Sequence, residues 1–87
     1  MAKKPTTYDA SSIDVNEGLD DCVNKFAQAM KDKLRKKSKQ GFSGWDDEKV
    51  CSQKDLSLML KEHITKGDPI DVANFCMMLF IRKETII

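Results

Sequence analysis

The sequence lacks most of the patterns that would point to a known kind of catalytic or metal site. Its three cysteines are an odd number with no CxxC spacing, so neither a disulfide framework nor a zinc site is predicted. His63 is the only histidine, and no second one exists to build a metal site around it. Nucleophile–base pairs, a P-loop, a glycine-rich dinucleotide turn and internal repeats are also absent. Catalysis through a nucleophile–base pair, a P-loop or a dinucleotide-binding turn is therefore not expected.

Charge and hydropathy exclude further classes of protein. The formal net charge of +1 argues against a protein that coats long nucleic acids. The longest apolar run, residues 75–81, is far shorter than the roughly 20 residues that span a bilayer. Because residues 1–8 are polar and lack an apolar core, we expect no signal peptide. The sequence thus predicts a soluble cytoplasmic protein with no membrane partner.

The length of 87 residues predicts one domain, residues 12–87, preceded by a polar leader, residues 1–11. A chain this short buries only a modest core, and small folds compensate with disulfides, metals or oligomerisation. Cys22 and Cys76 fall on apolar faces and are expected to be buried as small hydrophobic residues. With disulfides and metals not predicted, oligomerisation is the remaining way to stabilise the fold, and we expect a homodimer or homotetramer.

A long amphipathic helix is predicted first. Asp14 and Glu17 resemble a capping box, and Gly18 weakens the first turn, which moves the expected start toward Leu19. Lysines and arginine at its end, residues 31–39, suit the negative end of the helix dipole. The apolar stripe has three- and four-residue spacing and consists of Val15, Leu19, Cys22, Val23, Phe26, Ala27, Met30 and Leu34.

Two shorter helices are predicted after a loop at residues 40–51. Ser52 and Asp55 form a capping box for the second helix, which Gly67 ends in a left-handed conformation. Asp68 then caps a third helix that runs from Pro69 to about residue 84. Because residues 75–81 are apolar nearly all round, we expect partner subunits to surround this helix. The predicted buried face of the second helix comprises Leu56, Met59, Leu60, His63 and Ile64.

The start of the third helix is the first candidate binding feature. A helix start offers free N–H groups and a positive dipole end, which favour anions such as phosphate. Asp71 and Asn74 share a face, and an amide buried without a partner in an apolar helix would be costly. The alternative is that Asp68 and Asp71 simply cap the helix.

Three further features each have a structural alternative. Trp45, preceded by Phe42, would stack on a base, or it would fill a small core. The basic run at residues 31–39 would contact phosphates, or it is a solvated face. His63 is interpreted as a core histidine rather than as a ligand.

Four segments carry a resemblance to known proteins: Phe26-Ala27-x-x-Met30-x-x-Lys33-Leu34, Gly44-Trp45, Leu60-x-Glu62-His63 and residues 66–78, KGDPIDVANFCMM. They resemble small phage proteins with a KGDPxDVANFxMM signature and, in abbreviated form, the MazG-like all-α nucleotide pyrophosphohydrolases. That family holds magnesium with an ExxE pair and an ExxD pair. Here Asp68-x-x-Asp71 corresponds to the second pair, whereas only Glu62 remains near the first, with Met59 and Thr65 three residues to either side.

The resemblance implies a scaffold that keeps nucleotide contacts but has lost its metal cluster. We therefore expect an all-α bundle of about three helices that oligomerises through its apolar C-terminal helix and acts in the cytoplasm of a host bacterium. The expected function is sequestration of cyclic dinucleotide immune signals, as in phage anti-CBASS sponges, without hydrolysis and without a cofactor. The expected nucleotide-binding residues are Trp45, Lys36, Lys37, Lys66, Asp68, Asp71 and Asn74.

Two alternatives stay open at this point. The first is a reduced, magnesium-dependent nucleotide pyrophosphohydrolase that uses Glu62, Asp68 and Asp71. The second is an inhibitor that binds a host protein through its apolar third helix.

Overall fold

The computed structural model describes residues 18–87, which form three α-helices and no strand within that range. Helix α1 spans Gly18–Lys39, α2 spans Gln53–Lys66 and α3 spans Pro69–Ile81. This confirms the predicted all-α class and the small helical bundle. The predicted leader and the Asp14–Glu17 capping box lie outside the described residues. None of the described helices combines the length and apolarity needed to cross a membrane.

The ends of α2 follow the predicted capping chemistry. The Ser52 hydroxyl accepts a hydrogen bond from the Asp55 N–H, and the Asp55 carboxylate accepts one from the Ser52 N–H, both at 3.1 Å. Such a cap contributes about 1 kcal/mol. Gly67 has a φ of +80° and donates its N–H to the His63 and Ile64 carbonyls, so α2 ends in the left-handed conformation that glycine favours.

Helix α3 begins as predicted and ends earlier than predicted. Asp68 accepts from the Ile70 N–H at 2.9 Å, and Pro69 occupies the first turn. The predicted end near residue 84 is wrong, because Lys83 adopts a φ of 60°. The Lys83 N–H then bonds to the Phe80 carbonyl and the Glu84 N–H to the Leu79 carbonyl, which is the hydrogen-bond pattern of a Schellman motif.

The core is small and belongs mainly to α2 and α3. Its buried apolar side chains are Cys51, Leu56, Leu60, Met78 and Leu79. Helix α3 contacts both other helices, whereas no Cα of α1 lies within 8 Å of a Cα of α2. The two flanking helices therefore stand apart on either side of α3.

Several predicted burials are wrong in this single chain. No residue of α1 is buried, and Cys22 is exposed, because α3 covers only part of the α1 apolar stripe. Cys76 on α3 is exposed as well. Ile64 is 55% exposed, since no neighbouring element covers that edge of α2. At the end of α3, Phe80 is 78% exposed, so this chain alone does not surround the helix.

Candidate functional site

A cleft of about 600 Å³ opens where α1 and α2 fail to meet. Helix α3 forms its floor through Asn74, Phe75 and Met78, and the segment 42–46 forms one wall. The volume lies within the range of about 300–1,000 Å³ that small-molecule sites occupy. The lining is mainly apolar with a few polar side chains, which is also typical of such sites.

The loop between α1 and α2 is held firmly against this cleft. Arg82, at the end of α3, donates to the Trp45 carbonyl at 2.6 Å and to the Cys51 carbonyl at 2.7 Å. Its guanidinium also pairs with Glu84 at 3.0 Å. Gly44 has a φ of +93°, and a Cβ there would lie 2.7 Å from the Val50 Cγ1 atom. The positive φ favours glycine at this position, and the Arg82 hydrogen bonds fix the backbone from which Trp45 faces the cleft.

A lysine and two aspartates form an ionic cluster at the N-terminus of α3. The Lys33 ammonium lies 2.9 Å from the Asp68 carboxylate and 3.2 Å from that of Asp71. The hydrogen bond to Asp68, followed by the one to Asp71, raises the pKa of Lys33 above its ordinary value. The bond from Lys33, followed by that from the Ile70 N–H, lowers the pKa of Asp68. The Asp68 carboxylate is thus held in its charged form beside a cation.

Asn74 is the one buried polar side chain on the cleft floor that lacks a full set of partners among the described residues. It is 4% exposed, and its Nδ2 donates to the Met30 carbonyl at 3.4 Å. Its Oδ1 is buried and accepts no hydrogen bond within residues 18–87. Leaving a buried acceptor unsatisfied costs roughly 1–3 kcal/mol. A donor supplied through the cleft would remove that cost.

His63 lines the opposite side of the cleft and is held in one tautomer. Its Nδ1 lies 2.8 Å from the Met59 carbonyl, an acceptor, so the proton of the neutral ring resides on Nδ1. The ring is tilted against Phe75 with centroids 4.9 Å apart. The prediction of a packed histidine therefore describes one face of the ring, while the residue also lines the cleft.

The structure brings together four of the seven predicted site residues. Trp45, Lys37, Asp71 and Asn74 all line the cleft. The other three do not line it. Lys36 and Lys66 are exposed at the ends of α1 and α2, and Asp68 caps α3 and binds Lys33.

Sequence reasoning did not single out Lys33, which lines the cleft and joins the two aspartates. The signal was present in the spacing, because Met30, Lys33, Leu34 and Lys37 follow the i, i+3, i+4, i+7 pattern of one helix face. Here the two lysines on that face lie where α1 borders the cleft. Treating residues 31–39 as one basic run hid this distinction.

The described residues do not fit the magnesium site that the resemblance would supply. No group of three His, Cys, Asp or Glu side chains within residues 18–87 is placed to hold a metal ion. Asp68 and Asp71 are both bound to Lys33, and Glu62 is exposed outside the cleft lining. A lysine ammonium therefore occupies the position between the two carboxylates where a cation would be held.

Comparison with protein-family models, with curated proteins and with solved structures gives no match to this chain.

Proposed function

We propose that this protein binds a nucleotide in the cleft and retains it without hydrolysis, and that the ligand is a cyclic dinucleotide. The unpartnered Oδ1 of Asn74, buried on the floor of a cavity of ligand size, carries the proposal. Proteins rarely leave such an atom unsatisfied, and because Asn74 lines the cleft, a ligand there can supply the donor.

The wall of the cleft supports a base as the ligand group. Trp45 is half-buried, lines the cleft and has its backbone fixed by Arg82. An aromatic ring at this position can stack on a base for about 1–3 kcal/mol. Met59 and Phe75 extend the apolar surface on which a flat ring can lie.

The charge distribution supports a phosphate beside that base. Lys37 lines the cleft and forms no ion pair with the described residues, its ammonium lying 5.1 Å from the Phe42 ring centroid. Lys33 is already neutralised by two aspartates. Lys37 is therefore the cation available to a phosphate, whereas Lys36 and Lys66 would act only at longer range.

Retention is favoured over turnover because water activation in this chemistry needs metal-bound carboxylates. Asp68 and Asp71 are committed to Lys33 rather than to an open metal position. A magnesium-dependent pyrophosphohydrolase is the alternative, and it would require Lys33 to leave the cluster. We propose sequestration, in the cytoplasm of an infected bacterium, as the biological role that follows from tight binding without release of product.

The exposed apolar side chains favour a further property, assembly with a second copy. Val23, Phe26, Phe80 and Ile81 are all more than 40% exposed in the single chain. A partner subunit over these side chains would remove apolar surface from water. The same surface is the observation that favours the alternative of an inhibitor that binds a host protein.

The test is a mass-resolved binding experiment. The purified protein is incubated with cyclic dinucleotides and, separately, with nucleoside triphosphates plus magnesium; it is then denatured and the released ligand is identified. Intact cyclic dinucleotide in stoichiometric amount is the expected result. Cleaved triphosphate would replace the proposal with the enzyme, and no bound nucleotide would leave the protein-binding alternative.

Two neighbouring lysines provide a matched pair of variants for the same experiment. Lys37→Ala should weaken cyclic dinucleotide binding about tenfold through the loss of one charge-assisted contact. Lys36→Ala, with the same change in net charge one residue away, should have little effect because Lys36 does not line the cleft. Equal losses in both variants would assign the effect to net charge and not to a contact in the cleft.

A further inference from the structure

The polar groups on the cleft floor carry an inference about which base is bound, and this inference rests on the proposed function. We infer that the cleft selects guanine through the Lys33, Asp71 and Asn74 side chains, which present one donor and two acceptors in a row.

The hydrogen-bonding role of each group is fixed by its surroundings. Asn74 donates its Nδ2 to the Met30 carbonyl, which turns the amide so that Oδ1 remains as the acceptor. Asp71 is 17% exposed, and its Oδ1 lies 3.2 Å from the Lys33 ammonium, for which it is an acceptor. Lys33 carries three N–H donors and no acceptor. These hydrogen-bonding roles are set by contacts within the chain itself.

The order of the groups along α3 follows from the contacts. Lys33 binds Asp68 and Asp71 at the start of the helix, and Asn74 lies three residues beyond Asp71 on the same face. Residues at this spacing have Cβ atoms about 5–6 Å apart, close enough for their side chains to converge on one base edge. All three of Lys33, Asp71 and Asn74 line the cleft. In the proposed contact, the floor offers a donor from Lys33 and acceptors from Asp71 and Asn74, in that order.

Guanine is the common base whose Watson–Crick edge complements this order. Its O6 accepts while N1–H and the 2-amino group donate. Adenine places a ring nitrogen acceptor beside its amino group, cytosine offers one donor and two acceptors, and uracil flanks one donor with two acceptors. Each of these directs a lone pair at an acceptor of the floor, which costs affinity because a buried polar group is left unpaired.

The experiment compares dissociation constants for cyclic di-GMP, cyclic di-AMP and the inosine analogue of cyclic di-GMP, which lacks only the 2-amino groups. We expect cyclic di-GMP to bind about 10- to 100-fold more tightly than cyclic di-AMP, the factor that a matched pair of base contacts provides. The inosine analogue should lie between them, because it keeps N1–H and loses the donor to Asn74.

The variant Asn74→Leu sharpens the test, and Asn24→Leu is its control. Leucine resembles asparagine in shape and removes the unpartnered oxygen, so the fold should persist. We expect Asn74→Leu to bind cyclic di-GMP and its inosine analogue equally. Asn24 is exposed on α1 and does not line the cleft, so Asn24→Leu should keep the full preference.

The outcomes separate this inference from the function on which it rests. Equal binding of cyclic di-GMP and cyclic di-AMP would overturn guanine selection while leaving nucleotide sequestration in place. A preference for cyclic di-GMP over its inosine analogue that persists in Asn74→Leu would overturn the role of Asn74. Binding of none of the three ligands would overturn the proposed function itself.

Discussion

Helix α1 and the α2–α3 hairpin differ sharply in how they are stabilised. Every buried residue of the described helices belongs to α2 or α3, and both helices of the hairpin carry a side-chain N-cap. Helix α1 is the longest of the three, with 22 residues, and has no buried residue. Of the other two helices, α1 contacts α3 and not α2. The hairpin therefore contains most of the buried core, and α1 packs against it through α3.

The contrast explains the position of the cleft. A helix that packed along both α2 and α3 would have filled the space in which Trp45 and Asn74 now face a cavity. Because α1 touches only α3, its Lys33 and Lys37 project into that space instead. The weakly held element thus supplies the cations of the site, and the well-packed hairpin supplies the floor.

Truncating a core side chain of the hairpin should have the largest effect on stability. Leu56 is fully buried, so Leu56→Ala should lower the free energy of unfolding by about 2–5 kcal/mol. Val23→Ala, on α1 at 64% exposure, should cost less than about 0.5 kcal/mol. Urea denaturation of both variants measures this. A large, concentration-dependent loss in Val23→Ala would instead show that a second copy covers α1.

The hairpin is the part of the fold that the sequence predicts well. Ser52, Asp55, Gly67, Asp68 and Pro69 act through local hydrogen bonds and backbone preferences, and the structure confirms each of them. Local signals of this kind do not depend on what lies elsewhere in the chain. The bounds of α2 and the start of α3 therefore follow from residues close to them.

Long-range packing could not be predicted from the sequence. The apolar stripe of α1 shows which face is apolar but not whether anything covers it, so burial of Cys22 was wrongly predicted. The Schellman end of α3 was missed because Lys83 occupies a position that glycine usually takes. Four cleft residues were found by their chemical type. The spacing of Lys33 places it on the apolar face of α1, but its ion pairs with Asp68 and Asp71 appear only in the structure.

Removing the Arg82 side chain should have the next largest effect on stability. Arg82→Ala should lower the free energy of unfolding by about 2 kcal/mol, because charge-assisted bonds to the Trp45 and Cys51 carbonyls are lost and Glu84 loses its partner. Arg35→Ala, which removes an exposed ion pair to Asp32 on α1, is the control and should be close to neutral. Thermal unfolding and Trp45 fluorescence report stability and loop position separately. Unchanged fluorescence in Arg82→Ala would mean that the Arg82 hydrogen bonds are not needed to position the loop.

The smallest effect should come from the junction of the two regions, where Lys33 of α1 meets Asp68 of the hairpin. Because the folded-state pKa of Asp68 is lowered, its ion pair adds stability above the ordinary pKa of 3.8 and loses it as pH falls through the lower folded value. Asp68→Asn keeps an N-cap side chain and removes the charge, so it isolates the pair from the cap. The stability gap between the wild type and this variant, measured by urea denaturation from pH 7 downward, should close in acid. The gap should stay below that of Arg82→Ala, since Asp68 is 37% exposed and the pair is screened by solvent. A gap that does not change with pH would mean that α1 is held to the hairpin by apolar contacts with α3 and not by this pair.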